Sequence, residues 1–491
     1  MIVAQSKQGT VGGTPANGVH MFKGIPYAAP PFDQRRMRPP EPPASWTGTR
    51  DCTRFGPTVP KNPYQPPFDQ LLPEPSIPGE DCLNLNIWTP EIGPAGLPVL
   101  VWIHGGAFTN GSGAVPVYDG SAFARDGVVC VTINYRLGAD GFLFLGDGIA
   151  NVGLLDQVAA LAWVRDNIAS FGGDPARVTI AGESAGAMSV ITLLSMPLAA
   201  GLFRRAIAQS GAGQHVLAEG TAARVGGYLA ELLSVPAERT AIAAAPLPAL
   251  LDAQLALSLD LQTNRDPARW AEVAANLMVF EPVVDGVTVP AVPLHGLAAG
   301  AATDVDLLIG TNTDEQRLFM VPTGAMDYVD DAVLGQAVAA YGLGPDALPV
   351  YRANRPDATA GELLATVSGD WFFRVPALRV AESRPVSATW MYEFAWPAPG
   401  FDGALGACHA LEIGFTFDTL AAAGTSSLTG PNPPQHLADT MHQAWVSFVA
   451  TGDPGWDRYT TSGRATMVFN SDSAVARDPH GDERRLWEGL R

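Results

Sequence analysis

One stretch constrains this chain more than any other: Val178-Thr179-Ile180-Ala181-Gly182-Glu183-Ser184-Ala185-Gly186-Ala187-Met188-Ser189. A strand-forming run enters a serine bracketed by glycines, and an apolar, helix-forming run leaves it. The G-x-S-x-G spacing is that of a sharp strand-to-helix turn, which lifts a serine Oγ clear of a sheet edge. Gly182 and Gly186 suit so tight a bend because side chains there would collide across it. Five loosely specified residues recur by chance in a chain of 491. The turn therefore signifies a nucleophile only if the rest of the chain supplies a base, an acid and an oxyanion hole.

The flanks place the turn in an α/β architecture. Residues 98–103 are a nearly continuous apolar run that opens into His104-Gly105-Gly106-Ala107-Phe108, and residues 128–136 form a second buried strand. Residues 153–169 read as an amphipathic helix that stops at Phe171-Gly172-Gly173-Asp174-Pro175, ahead of the serine turn. Further strands are expected at 205–211, 305–309 and 389–394, with a helix at 437–451 closing the fold. Strands alternating with helices at this spacing predict a large, mainly parallel sheet covered by helices on both faces. Residues 1–60 add a small N-terminal β region. Residues 80–88 alternate apolar and polar positions, as a half-buried strand does. Proline density at 30–43 and 57–78 leaves too few ladder donors for sheet, so both stretches read as irregular surface wrapping. Residues 215–275 and 325–385 read as helix-rich insertions covering a pocket. With no repeat or flexible linker in view, one domain spanning 1–491 is expected.

Composition removes several classes of function. A formal charge of −19 argues against nucleic acid or an anionic membrane as partner, since both require a basic face. No apolar run approaches the length of a membrane span. Cys52, Cys82, Cys130 and Cys408 are too few for a disulfide framework and form no C-x-x-C pair, so no zinc site is expected. With no export signal in Met1–Lys7, the expected compartment is cytoplasmic.

Chemistry at Ser184 calls for partners in the chain order serine, acid, histidine. His409, His436, His442 and His480 lie far enough along the chain. His436 and His442 fall on a helix and His480 in a charged tail. His409 sits in the loop Gly406-Ala407-Cys408-His409-Ala410-Leu411-Glu412, where a catalytic histidine belongs. The acid is Asp314 or Glu315, both just past the strand at 305–309, at the sheet edge where ligands gather. Backbone N–H groups of Ala185, Gly106 and Ala107 would form the oxyanion hole.

These residues, with Phe22-Lys23-Gly24-Ile25-Pro26-Tyr27-Ala28, Glu80-Asp81-Cys82-Leu83, Asn134-Tyr135-Arg136-Leu137-Gly138 and His409-Ala410-Leu411-Glu412, resemble the type-B carboxylesterases over nearly the whole chain. That group includes bacterial p-nitrobenzyl esterases, animal carboxylesterases and cholinesterases. The resemblance implies an α/β-hydrolase fold and a triad of Ser184, Glu315 and His409, choosing Glu315 over Asp314. It also implies oxyanion donors at Gly106, Ala107 and Ala185, with Ser210 as a supporting hydroxyl near the triad. Neither metal nor organic cofactor is implied. The expected partner is a small-molecule ester with a short-to-medium acyl or aryl group, hydrolysed by a monomer. Gln316 replaces the family's usual glycine after the acid, and Gly414 its usual proline. Val59 stands near the position where relatives carry the cysteine that pairs with Cys82, so Cys82 is expected to have no such partner, with Cys52 a conceivable substitute. Phe108, Leu277, Met278, Phe280, Phe319, Trp371, Phe372 and Phe415 are candidates for an apolar pocket, with ordinary core packing as the competing explanation for each. Two other readings are a non-catalytic cholinesterase-like binding protein, disfavoured by the intact triad, and an amidase or acyltransferase side activity.

Overall fold

The apolar runs assemble into a thirteen-stranded sheet in a computed structural model that describes all 491 residues. Across the sheet the order is Ile2–Gln5, Thr10–Ala16, Val19–Pro26, Asn84–Thr89, Val129–Ile133, Gly93–Ile103, Phe171–Glu183, Arg205–Gln209, Asp306–Asn312, Thr389–Phe394, Ala465–Phe469 and Ala474–Arg477, with Thr49–Asp51 paired to Thr10–Ala16. From Val129–Ile133 across to Ala465–Phe469 every neighbouring pair is parallel. Antiparallel pairs flank this block at both edges. The expected α/β-hydrolase arrangement, a large and mainly parallel sheet with an N-terminal β region, is the one observed.

Strand side chains alternate between faces, so one strand feeds two cores. Along Gly93–Ile103, Val99, Val101 and Ile103 join one buried cluster, while Leu100 and Trp102 join the other. The first cluster takes Leu154, Leu161 and Val164 from the helix Val152–Asn167. Leu437, Met441 and Trp445 from the helix Gln435–Thr451 enter the second. Both faces are closed to water, as a parallel sheet requires.

Two expectations need correction. Asn84–Thr89 is buried along its whole length rather than on one face. Its polar positions are satisfied internally: Asn84 Nδ2 donates to Pro57 O at 2.8 Å, and Asn86 Nδ2 to Thr132 Oγ1 at 2.9 Å. Nor does Gln435–Thr451 close the fold. Ala465–Phe469 and Ala474–Arg477 extend the sheet, and the helix Gly481–Leu486 follows. These short strands are held by pairing to Thr389–Phe394 rather than by a pattern of their own. All four cysteines are buried free thiols, so Cys52 does not pair with Cys82.

Helices fill both segments read as insertions, among them Glu219–Leu233 and Leu247–Thr263 in the first and Asp331–Ala340, Ala347–Asn354 and Ala360–Gly369 in the second. No helix is long and apolar enough to cross a membrane.

Candidate active site

The strand Phe171–Glu183 delivers Ser184 at φ 56° and ψ −125°, and the helix Ala185–Ser195 begins at once. This is a strained backbone for a non-glycine residue, of the kind that persists where surrounding structure over-determines it. Close approach is what demands the glycines. A Cβ on Gly186 would lie 2.0 Å from Ile103 O, and one on Gly182 2.5 Å from the Gly186 carbonyl carbon. The Ser184 N–H donates to Gln209 O at 2.9 Å, tying the turn to the neighbouring strand.

His409 leaves the loop after Thr389–Phe394, and Glu315 follows Asp306–Asn312, so both reach the carboxyl edge of the sheet. His409 Nδ1 and Glu315 Oε2 are hydrogen-bonded at 2.6 Å, and Glu315 Oε1 accepts the Asn312 N–H at 2.8 Å. Asp314 is committed elsewhere. Its Oδ2 accepts the Ala407 N–H at 3.0 Å and its Oδ1 pairs with Arg317 Nε at 3.1 Å, which pins the histidine loop. The other histidines are also occupied away from the serine: His436 with Ser471 O, His442 with Thr416 O and Asp126, His480 with Glu393.

The opposite ring nitrogen, His409 Nε2, faces Glu183 Oε1 at 3.0 Å, and Ser184 Oγ makes no hydrogen bond. Ser184 and His409 line the same cavity, and His409 Nε2 is turned to the carboxylate of Glu183, the residue before the serine. Glu412, fully buried, accepts from Asn312 Nδ2 at 2.7 Å and Gln209 Nε2 at 3.0 Å. Three buried carboxylates therefore surround one imidazole. Burial works against a charged His409, but Glu183 and Glu315 outweigh it and push its pKa above the usual imidazole range. Burial raises the Glu183 pKa, only partly offset by His409. Burial likewise raises that of Glu412, with Glu315 adding to the rise.

The strand Gly93–Ile103 ends in the glycine loop. Gly106 adopts φ 112°, and Ala107 and Phe108 both enter the left-handed region at φ 52° and 59°. A Cβ on Gly105 would lie 3.0 Å from Ser184 Cβ, so this loop and the serine turn are packed together. His104 stacks on Tyr135 with ring centroids 4.5 Å apart, and burial lowers its pKa to about 3, keeping it neutral. Ser210 is fully buried at the end of Arg205–Gln209 with φ 53°, and its hydroxyl makes no hydrogen bond.

The cavity over these groups has a volume of about 1000 Å³, and 28 of its 47 lining residues are hydrophobic, which suits an uncharged organic substrate. Gly106, Ala107, Leu277, Met278, Phe319 and Phe372 line it. Phe108, Phe280, Trp371 and Phe415 do not. Phe108 is turned inward onto Phe142 at 4.9 Å and is fully buried. Phe280 is core packing. Trp371 stacks on Tyr341 at 5.1 Å, with the Arg491 guanidinium 3.8 Å over its ring. Phe415 is fully buried against Phe394 and Trp396.

Sequence reasoning assigned no role to Glu183, Glu412 or Phe373, whose ring lies 4.8 Å from that of His409. A signal existed for Glu183: a carboxylate inside a run otherwise reading as buried strand.

Comparison with known proteins identifies the family. A profile of the carboxylesterase family matches residues 2–487. The para-nitrobenzyl esterase of Bacillus subtilis (strain 168) is 38% identical, covering 98% of both chains. The phenmedipham hydrolase of Pseudarthrobacter oxydans is 37% identical over 97% of both. Among solved structures, the Geobacillus stearothermophilus carboxylesterase superposes with a TM-score of 0.87 at 38% identity, covering 99% of each chain. The chain belongs to the carboxylesterase family, has its α/β-hydrolase fold, and is a serine-type carboxylic ester hydrolase.

Proposed function

We propose that Ser184 attacks the ester carbonyl, with His409 as its base and Glu315 as the acid that orients His409. The observation that carries this reading is the 2.6 Å bond from His409 Nδ1 to Glu315 Oε2, made beside a serine in a strained strand-to-helix turn. Nε2 takes the Ser184 proton as Oγ bonds to the carbonyl carbon. Catalytic hydrogen bonds of this kind tighten when substrate enters, so the turn of Nε2 from Glu183 to Ser184 belongs to the loaded site. The tetrahedral oxygen rests on the N–H groups of Gly106, Ala107 and Ala185, and the alcohol leaves with the proton from Nε2. Water then adds to the acyl-enzyme by the same route and releases the acid. Ser210, next in sequence to the Gln209 carbonyl that accepts the Ser184 N–H, is the supporting hydroxyl of this reading.

The substrates of this reading are aryl esters and short-to-medium acyl esters. The apolar lining of the cavity and the relatives named for para-nitrobenzyl and phenmedipham chemistry support that class. Its volume also leaves room for aromatic diesters. The chain works as one domain and as a monomer, its helical segments roofing the cleft. The four free thiols are in keeping with a reducing cytoplasm.

A panel of p-nitrophenyl esters of graded acyl length, run with wild type and Ser184→Ala, tests the reading. Turnover of the folded variant should fall by at least about 10⁴-fold. A folded Ser184→Ala protein with wild-type turnover would sink the assignment.

A further inference from the structure

The proline-rich stretch at 57–78 does more than wrap the surface. Its Glu74 side chain is 8% exposed, lines the same cavity as Ser184, and reaches the far end of the glycine loop. Glu74 Oε1 accepts from Asn110 Nδ2 at 2.8 Å, and Oε2 accepts the Gly111 N–H at 2.7 Å. Behind it stands Lys61, 3% exposed, with Nζ 3.8 Å from Oε2. The Lys61 ammonium also donates to Pro75 O at 3.3 Å. Asn110 Nδ2 is shared with Asn62 O at 2.8 Å, so both ends of the stretch grip one residue.

That residue closes the turn on which the oxyanion donors sit. The Asn110 N–H donates to Gly106 O at 2.8 Å, and the Thr109 N–H to the same oxygen at 3.0 Å. A trans peptide is planar, so its C=O and the following N–H point in opposite directions. Drawing Gly106 O into the turn therefore aims the Ala107 N–H out of it. The conformation needs external support, because Ala107 and Phe108 are consecutive non-glycine residues in the left-handed region. The turn is also tightly closed on itself. A Cβ on Gly106 would fall 2.4 Å from Asn110 O, and one on Gly111 2.2 Å from Gly105 O. The only carboxylate bonded to the turn is that of Glu74, and two charge-assisted bonds from one buried carboxylate are strong constraints.

We propose that Glu74 is a positioning residue of the oxyanion hole, holding residues 110 and 111 so that the Gly106–Ala107 peptide presents its N–H to the tetrahedral oxygen. This rests on the reading of Gly106 and Ala107 as donors. Glu74 does not touch the reacting atoms. It couples the roof of the cleft to the part of the site that acts only in the transition state.

The test compares wild type with Glu74→Ala and the isosteric Glu74→Gln, which offers one acceptor where two donors converge. Thermal melting establishes that each variant is folded. For p-nitrophenyl butyrate, Glu74→Ala should lose about 10²-fold in kcat with KM within about threefold, because a displaced oxyanion donor is missed chiefly in the transition state. Glu74→Gln should fall between Ala and wild type. Affinity for an aryl trifluoromethyl ketone, which adds a serine to give an oxyanion, should drop in parallel with kcat/KM. Affinity for the matching methyl ketone should not change. Wild-type kcat in both folded variants, a rise in KM alone, or equal loss for both ketones would overturn the proposal. Labelling with a fluorophosphonate, mapped by mass spectrometry, separates the two levels. If wild type is not labelled at Ser184, the nucleophile reading falls and this inference with it. With Ser184 labelled and kcat unmoved in the variants, only the role of Glu74 falls.

Discussion

The hydrogen bond between His409 and Glu315 joins two unlike regions. On the histidine side lies the cleft of about 1000 Å³, with most of its lining hydrophobic. Glu315 borders a small pocket of about 10 Å³ whose eleven lining residues include no hydrophobic one. In that rear pocket charge is neutralised pair by pair. Arg374 Nε bonds Asp370 Oδ1 at 2.5 Å, Arg355 pairs with Glu483, and His480 meets Glu393 at 3.0 Å. Thr313 Oγ1, two residues before Glu315, donates to Glu393 at 2.8 Å. In the front cleft, by contrast, Glu183 shares His409 and has no basic side chain of its own. On the proposed reading the rear side holds the acid, through the Asn312 N–H that bonds Glu315, and the front leaves Nε2 of the base free to exchange Glu183 for Ser184, so rigidity and adjustability are divided across a single bond.

Cutting that bond should give the largest effect. Glu315→Gln keeps the shape but presents an amide that favours the wrong imidazole tautomer. We expect kcat to fall about 10³–10⁴-fold, read by steady-state hydrolysis of a p-nitrophenyl ester. A loss below tenfold would mean that Glu183 or Glu412 orients the ring instead.

Damage to the rear pocket should appear in stability before activity. Arg374→Met leaves Asp370 buried without its cation and should cost about 3–5 kcal/mol, seen as a lower urea midpoint. Unchanged stability with a collapsed kcat would reverse the division of labour between the two regions.

The front carboxylate should show itself through pH. In its proposed role as base His409 must be neutral, so kcat/KM should fall as pH drops through its raised pKa. Removing the Glu183 charge by Glu183→Gln lowers that pKa, so the acid limb should move to lower pH by about one unit. A pH–rate series on both proteins measures the displacement. A limb that stays in place, or moves upward, would show that Glu183 does not set the imidazole charge.

The two regions also differ in how far the sequence exposes them. Ser184, His409 and the pair Asp314 and Glu315 lie in short local patterns that follow strands, with the choice of Glu315 resting on the family resemblance, and the serine turn together with the alternating strands and helices is enough to outline the sheet. The rear pocket has no such pattern. Asp370, Glu393 and Glu483 stand on separate elements and converge only once Ala465–Phe469 and Gly481–Leu486 are in place, the segment read as a charged tail. The aromatic candidates failed for a related reason. Proximity to a motif says nothing about direction, and Phe108 turns inward onto Phe142 while the neighbouring Ala107 lines the cavity. Glu74 was hidden among prolines, and its partners lie 36 and 37 residues further on.

The smallest expected effect lies at the cleft mouth. Phe319 is 39% exposed, its ring 5.4 Å from that of His409 and 6.4 Å from that of Phe68. Because it already meets solvent, Phe319→Ala removes only part of an aromatic contact, about 1 kcal/mol of substrate binding. That predicts a roughly fivefold rise in KM for an aryl ester. For a small alkyl ester that does not reach the mouth, KM should stay near wild type. The ring packs beside the base without bonding to it, so kcat should hold for both substrates. A drop in kcat approaching that of Glu315→Gln would move Phe319 from the adjustable front of the site to the rigid frame around His409, and the boundary between the two regions would have to be redrawn through the imidazole itself.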